Sequence, residues 1–327
     1  MRGFPRTARL AAALSLLCGA TGAAAQDYPN RPMRLLMPFP PGSGTDAVAR
    51  GITARLTERT GQNVVIEYRP GAGGNIAYEA GARSTPDGYT ILFATNGIAT
   101  NASLYKQLAY DTLKDFAPVT LVARSPHVLV VNAAAVPAGS VQELLAYARN
   151  NKSVQLNYAS SGSGTVPHLA GEIFSTKTGV KLVHVPYKGA GQAQADLLGG
   201  SIQVMFSAIA FALPLVKSGK LRALGVTGEQ RSAAMPDVPT IAEAGVPGYG
   251  IEAWFSILAP AGTPAPIVNR LHRELSTITA EPELKKRMLD LGQELTASAS
   301  PQEFGEYLRS EIRKMSEVVK ASGAVAD

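Results

Sequence analysis

Cysteine is nearly absent. One Cys, Cys18, stands in 327 residues, which excludes a disulfide-stapled scaffold and any zinc site built from four thiolates. Histidine is scarce as well. His127, His168, His184 and His272 show no close metal-type spacing, and no H-E-x-x-H pair occurs, so neither a metal nor another cofactor is expected. There is no P-loop with its lysine and no G-x-S-x-G nucleophile elbow. Gly42 and Gly44 are followed by Ala47 where a dinucleotide fingerprint needs its third glycine region to continue, so that motif is missing too. The apolar run Leu10 to Cys18 is too short to span a bilayer. What is present is 46% hydrophobic residues, enough for a globular core and unlike a collagen, a coiled coil or a disordered chain.

The formal charge of +6 invites a nucleic-acid reading that the N-terminus removes. Arg2, Arg6 and Arg9 form a basic start, the apolar run follows, and Ala23-Ala24-Ala25 supplies small residues for cleavage. Residues 1–25 therefore read as a secretory signal peptide with Gln26 as the mature start, and the mature protein is expected to be exported. Leu17, directly before Cys18, is too large for a lipoprotein signal. Cleavage removes three arginines and no acid, so +6 falls to +3 and the only thiol leaves. The remaining loops are not basic, and the C-terminal Lys and Arg residues alternate with Asp and Glu, so no nucleic-acid partner is expected.

Along the mature chain, apolar β-branched runs alternate with helical patterns. Met33–Pro38, Val64–Tyr68 and Thr90–Ala94 read as strands, with helices over Asp46–Thr57 and Ile76–Ala82. Such a βαβα series implies a largely parallel sheet with helices on both faces. Strands near Pro118–Ala123 and Val128–Asn132 lead into a second series. Its strands are Gln155–Tyr158, Lys181–Val185, Ile202–Phe206 and Leu221–Val226. Its helices are Val141–Asn150, Pro167–Thr178, Gln192–Leu198 and Ala210–Ser218. Met235–Ala244 reads as a connector with a short helical piece, Ile251–Leu258 as a long strand, and Pro282 and Pro301 as helix starts. Two α/β domains follow, 28–124 completed by 250–327, and 125–249, joined by two crossovers that can serve as a hinge. Two such domains with a cleft between them suit a protein that closes on a ligand.

One tetrapeptide occurs twice. Gly42-Ser43-Gly44-Thr45 returns as Gly162-Ser163-Gly164-Thr165, each copy between a predicted strand and a predicted helix, one in each domain. Glycines let backbone N–H groups approach a ligand, Ser and Thr add hydroxyls, and a helix N-terminus adds unpaired N–H groups and partial positive charge. Two such loops facing across a cleft can hold a carboxylate from both sides; the alternative is a pair of ordinary strand–helix turns. Asp46 either caps its helix or receives an amine or hydroxyl. Thr95 and Asn96 end a strand on the same side, Asn96 as a ligand contact or an Asx-turn. Ser161 and His168 flank the second loop, and His168 either contacts ligand or closes a helix face. Tyr187 and Ser207 end two further strands and are further candidates.

The segments Met37-Pro38-Phe39-Pro40-Pro41-Gly42-Ser43-Gly44-Thr45-Asp46, Arg69-Pro-Gly-Ala-Gly-Gly-Asn75 and Asp87-Gly-Tyr-Thr-Ile-Leu92 belong to a wider set. It continues with Tyr158–Thr165 plus His168, His184-Val-Pro-Tyr-Lys-Gly189, Asp196–Gly200, Asp237–Thr240 and Trp254–Pro264. In this order, over nearly the whole mature chain, they resemble the periplasmic substrate-binding proteins of tripartite tricarboxylate transporters, also called Bordetella uptake gene products. The resemblance implies a bilobed, flytrap-like α/β fold with parallel or mixed sheets and an interdomain cleft. It implies that the Pro40–Asp46 and Ser161–Thr165 loops hold a ligand carboxylate, partly through backbone groups and ordered water; Phe39, next to the first loop, is a further candidate contact. It also implies delivery to a small and a large integral membrane subunit. Two departures stand out. Gly-Ser-Gly replaces the Gly-Gly of many members, and Ser207 stands where many carry Asp after Met205-Phe206, which weakens recognition of an amino group.

The expected function is capture of a small organic anion, a di- or tricarboxylate or an aromatic acid, for a transporter, by a monomer and without catalysis. A ligand sensor acting on a membrane partner and an exported hydrolase using Ser163 and His168 are the alternatives. The hydrolase requires an aligned Ser–His–acid group.

Overall fold

The computed structural model describes residues 28–42, 44–151, 155–160, 162, 165–187 and 190–322. The leader expected over 1–25 lies outside them, as do Ser43, Ser161, Ser163 and Gly164.

The first sheet is built on β3 (Thr90–Thr95), whose six residues are all buried. A strand covered on both faces carries such an unbroken apolar run. β1 (Met33–Met37) and β2 (Val64–Tyr68) run parallel to it, with Leu35 beside Ile91 and Ile66. β10 (Ala253–Pro260) returns antiparallel on the other side of β3, and β4 (Phe116–Ser125) and the short β11 (Glu294–Leu295) complete the order β11-β4-β10-β3-β1-β2.

The second sheet runs β7 (Val183–Pro186), β6 (Asn157–Ser160), β8 (Val204–Ala208), β5 (His127–Asn132) and β9 (Leu221–Val226). β7, β6 and β8 are parallel, while β5 lies antiparallel between β8 and β9. Both sheets are therefore mixed, where the βαβα pattern alone predicts largely parallel ones. The reason lies in the crossovers. β4 ends at Ser125 and β5 begins at His127, so a strand entering a sheet at the edge where its neighbours end must run against them.

Helices cover both faces. Those that bear on the site are α1 (Gly44–Thr60), α2 (Asn75–Ala82), α3 (Gly97–Leu104), α4 (Val141–Asn150), α5 (Val166–Thr178), α6 (Ala190–Gly199) and α7 (Ile209–Lys217). α8 (Ala265–Ala280) and α9 (Pro282–Leu289) pack on the first sheet side. α10 (Pro301–Ser322) buries Phe304, Leu308, Met315 and Val319, a helical stripe that also carries Glu311. The Glu311 carboxylate accepts the Trp254 indole N–H at 3.0 Å and pairs with Lys314 at 3.1 Å. α10 packs on α3 and β4 of the first sheet and on α5 beside the second, so it bridges the two lobes.

The expected helical piece in 235–244 is a series of turns, held by one parallel bridge between Val226 and Thr240. α3 and β11 have no counterpart in the sequence reading.

Candidate functional site

The strand directions decide which loops meet. In the first sheet β1, β2 and β3 all end at one edge, which carries residues 38–42, 69–74 and 95–97. β4 ends at this same edge, because β10 pairs Phe255 with Thr95 and Ala253 with Ser125. In the second sheet β6, β7 and β8 end at an edge carrying residues 160, 162, 165, 187 and 208. β5 starts there, with His127 opposite Ala208. Only Pro126 separates β4 from β5. The return crossover starts and ends beside it: Thr227 N–H donates to the His127 carbonyl at 2.8 Å and Ile251 N–H to the Thr227 carbonyl at 2.9 Å. The two loop-bearing edges therefore adjoin one pair of neighbouring crossovers, and ligands of open α/β sheets bind beyond the carboxyl ends of their parallel strands.

At the first edge β1 runs into Pro38, half-buried Phe39, and exposed Pro40, Pro41 and Gly42; Thr45 lies in the first turn of α1. Gly42 has φ +92°, and a Cβ there would meet no atom within 4 Å, so its backbone faces open space. Asp46 is 4% exposed and fastens the loop from behind. One carboxylate oxygen accepts Gly42 N–H and Arg50 Nε, each at 2.9 Å; the other accepts the Tyr68 hydroxyl at 2.7 Å. Burial alone would push this carboxyl up, but the Gly42 N–H, Arg50 and Tyr68 outweigh it and hold its pKa below the ordinary value. Asp46 thus anchors the loop, reaching back from the first turn of α1 to the N–H before the helix.

The turn 71–74 is braced by Asn101 Nδ2, which donates to the Gly73 carbonyl at 3.1 Å and to Asn75 Oδ1 at 2.7 Å. The buried Thr95 hydroxyl lies 3.2 Å from that of Tyr78 and accepts Gly97 N–H at 3.3 Å. Asn96 is the N-cap residue of α3, but its side chain makes no capping bond, so the expected Asx role is not what holds it.

At the second edge Ser160 is fully buried at the end of β6. Its Oγ donates to the Gly162 carbonyl at 3.0 Å, accepts Gly162 N–H at 3.1 Å and lies 2.6 Å from His184 Nε2. Thr165 Oγ donates to the same Gly162 carbonyl at 2.7 Å and does not cap α5. His168 is 7% exposed; its ring stacks on His184 at 4.1 Å, and His184 stacks on Tyr158 at 5.0 Å. The Tyr158 hydroxyl donates to Glu172 Oε1 at 2.7 Å. Burial, then the neighbouring His168 ring, pushes His184 down to about 4 against a weaker pull from Glu172, and burial also lowers His168. The Tyr187 hydroxyl is committed to Asp196 at 2.6 Å, which together with burial pushes its pKa up to about 12. Ser207 is fully buried and donates to the Ala208 carbonyl at 3.3 Å.

The alternative hydrolase reading required a Ser–His–acid group around Ser163 and His168. Ser163 lies outside the described residues, and the serine–histidine contact that does form is Ser160 to His184. Among the described residues no carboxylate hydrogen-bonds His184, since Glu172 is engaged by Tyr158. Ser160, His184, Arg50, Tyr68 and Asn101 were missed as builders of these loops. Ser160 and His184 left a trace, since both lie inside the family segments Tyr158–Thr165 and His184–Gly189.

Residues 48–324 match the profile described as "Tripartite tricarboxylate transporter family receptor". The chain belongs to this family. The receptor is a solute-binding protein, not an enzyme, in agreement with the sequence reading. It is 34% identical over 322 residues to BugT of Bordetella pertussis, covering 97% of this chain and 98% of BugT. Among solved structures it is similar to R. palustris Rpa4515 with adipate, at 38% identity and TM-score 0.74 over 91% of this chain and 99% of that one. It is also similar to MatC from Rhodopseudomonas palustris with bound malate, at 32% identity and TM-score 0.69 over 89% and 100%. These likenesses and the two mixed sheets give the receptor a two-lobed, flytrap-type α/β fold. Proteins of this family are periplasmic binding proteins that work with membrane transporter components.

Proposed function

We infer that this receptor captures a small organic carboxylate, in the first instance a dicarboxylate, in the periplasm and passes it to the integral membrane subunits of a transporter. The observation that carries this reading is the pair of strand–loop–helix turns, at Gly42 and at Gly162, on sheet edges that adjoin one pair of neighbouring crossovers. In this reading each presents small residues and a helix N-terminus to one shared cleft, the arrangement that favours an oxyanion. The relatives with adipate and malate are consistent with a ligand carrying two carboxylates, one for each turn. In this reading residues 39–45 and 161–165 grip the carboxylates, Thr95, Asn96 and Tyr187 line the opening, and Asp46, His168 and Ser207 support it from behind. Ser207 supplies no negative charge, so a ligand without an amino group is preferred.

The lobes are 28–124 with 250–327, and 125–249, which is supported by strand membership in the two sheets. They close on the ligand around Pro126 and the 227–252 crossover, and the receptor acts as a monomer after loss of residues 1–25. The test is a thermal-shift screen over mono-, di- and tricarboxylates and aromatic acids. A true ligand raises apparent stability by mass action, about 2.7 kcal/mol at a hundredfold excess over Kd. If only neutral or cationic solutes raise it, the reading fails. Small-angle scattering with a saturating acid should show compaction, and unchanged dimensions at saturation would refute closure.

A further inference from the structure

His184 is absent from the sequence-based candidates, yet it makes the shortest contact to the frame of the second loop. Its ring is clamped between His168 and Tyr158, and its Nε2 lies 2.6 Å from Ser160 Oγ. Among the described residues, that oxygen is the one side-chain atom that bonds both polar backbone groups of Gly162. A serine hydroxyl has one proton and two lone pairs. If the proton goes to the Gly162 carbonyl and one lone pair accepts Gly162 N–H, the remaining lone pair needs a donor. His184 Nε2–H is the group in place to fill it.

We propose that His184 is a positioning residue for ligand capture: its Nε2–H donates to Ser160 Oγ, and Ser160 in turn sets the orientation of the Gly162 peptide at the second loop. The proposal rests on the reading of residues 161–165 as a carboxylate loop. The groups facing the His184 ring are Ser160 and Tyr158 on β6 and His168 and Glu172 on α5. Glu172 is held by Tyr158, and the His168 ring lies face to face with His184, so neither competes for Nε2. Gly162 has φ +129°, a conformation open to glycine and strained for other residues, so a bond to each side of this residue is what specifies one conformation among the many glycine can adopt.

The test separates the ring from the hydrogen bond. His184→Phe keeps the stack and loses the donor; His184→Gln loses the stack and places an amide N–H near the Nε2 position. Hydrogen exchange of the Gly162 amide, followed by NMR, should speed up about tenfold in His184→Phe and in Ser160→Ala and stay within about threefold in His184→Gln, the range set by one hydrogen bond. Adipate affinity measured by calorimetry should follow the same order. Nitrogen NMR of the wild-type imidazole at neutral pH should report the Nε2–H tautomer, a measurement that needs no variant to fold. Normal Gly162 protection in His184→Phe, or an Nδ1–H tautomer in the wild type, would overturn the proposal. Absence of adipate binding in the wild type would count against the dicarboxylate reading above, while exchange and tautomer would still decide the role of His184.

Discussion

Replacing a helical glycine by alanine ordinarily stabilises a protein by about 1 kcal/mol, because glycine is the poorer helix former. At Gly171, in α5, the sign should reverse. A Cβ placed there would stand 2.3, 2.4 and 2.8 Å from three ring carbons of Tyr158. The ring has nowhere to go. Tyr158 is fully buried, stacked on His184 and set edge-on to Phe206 at 6.2 Å, and its hydroxyl is bound to Glu172. Overpacking of this kind costs about 1–3 kcal/mol. Displacing the ring also breaks a hydrogen bond to a charged acceptor, worth about 1.5–3 kcal/mol. After the helix-propensity gain is set against these, Gly171→Ala should destabilise by about 1.5–5 kcal/mol. Urea unfolding of wild type and variant at pH 7, analysed at constant m, measures this directly. A companion Tyr158→Phe change in the Gly171→Ala background should not restore stability, since the clash is with ring carbons and not with the hydroxyl. A Gly171→Ala protein as stable as wild type, or more stable, would refute the reasoning. It would mean that Tyr158 can slide along α5 and that the stack leading to the second loop is not rigid.

Asp46→Ala should lose about 2 kcal/mol by removing a buried acceptor of charge-assisted bonds and should weaken dicarboxylate binding, because Gly42 loses its anchor; denaturation plus calorimetry checks both, and unaltered affinity would show that the first loop holds itself. Gly42→Val should cost about 1–2 kcal/mol in stability, since positive φ is strained for a β-branched residue. As no atom lies within 4 Å of the new Cβ, its larger effect should be on affinity measured by titration. For acid, burial holds His127 and His184 near 4, below the ordinary 6.5, so both take up protons only on unfolding as pH falls from 6.5 towards 4. Glu252, pushed up to about 7 by burial against the pull of Arg124, is protonated first in the folded state and opposes them between pH 7 and its ordinary 4.5. His168, which burial also lowers, acts in the same direction; the lowered histidines outnumber the one raised carboxyl, so at least about one net proton is taken up on unfolding and stability should fall by roughly 1.4 kcal/mol or more per pH unit between pH 6.5 and 4.5. Urea melts at pH 5 and 6.5 decide it, and higher stability at pH 5 would refute it.

Periodicity located most elements, and the deviations have a common form. Strands read at 155–158, 181–185, 202–206 and 251–258 are paired at 157–160, 183–186, 204–208 and 253–260. Leu156, Leu182, Ile202 and Ile251 are buried, as their hydropathy suggests, but they precede the ladders. Hydropathy reports burial, whereas a strand begins only where a neighbour offers its N–H and C=O groups. α3 was missed because Thr95-Asn96-Gly97 has the composition of a turn, and tertiary packing of Ile98 and Ala99 continues it as a helix.

Residue order alone determined the α/β class, the two loops at Gly42 and Gly162 and the family motifs, because these are local patterns of period, glycine and proline. Three things waited for the tertiary structure. β5 and β10 run against their neighbours because both crossovers share one edge. The adjacent crossovers adjoin both loop-bearing edges although 120 positions separate Gly42 from Gly162. Their backing groups, Asp46 with Tyr68, and Ser160 with His184 and His168, lie on different elements. A buried hydrogen bond or ring stack depends on which atoms lie within a few ångströms, and only the folded chain brings those atoms together.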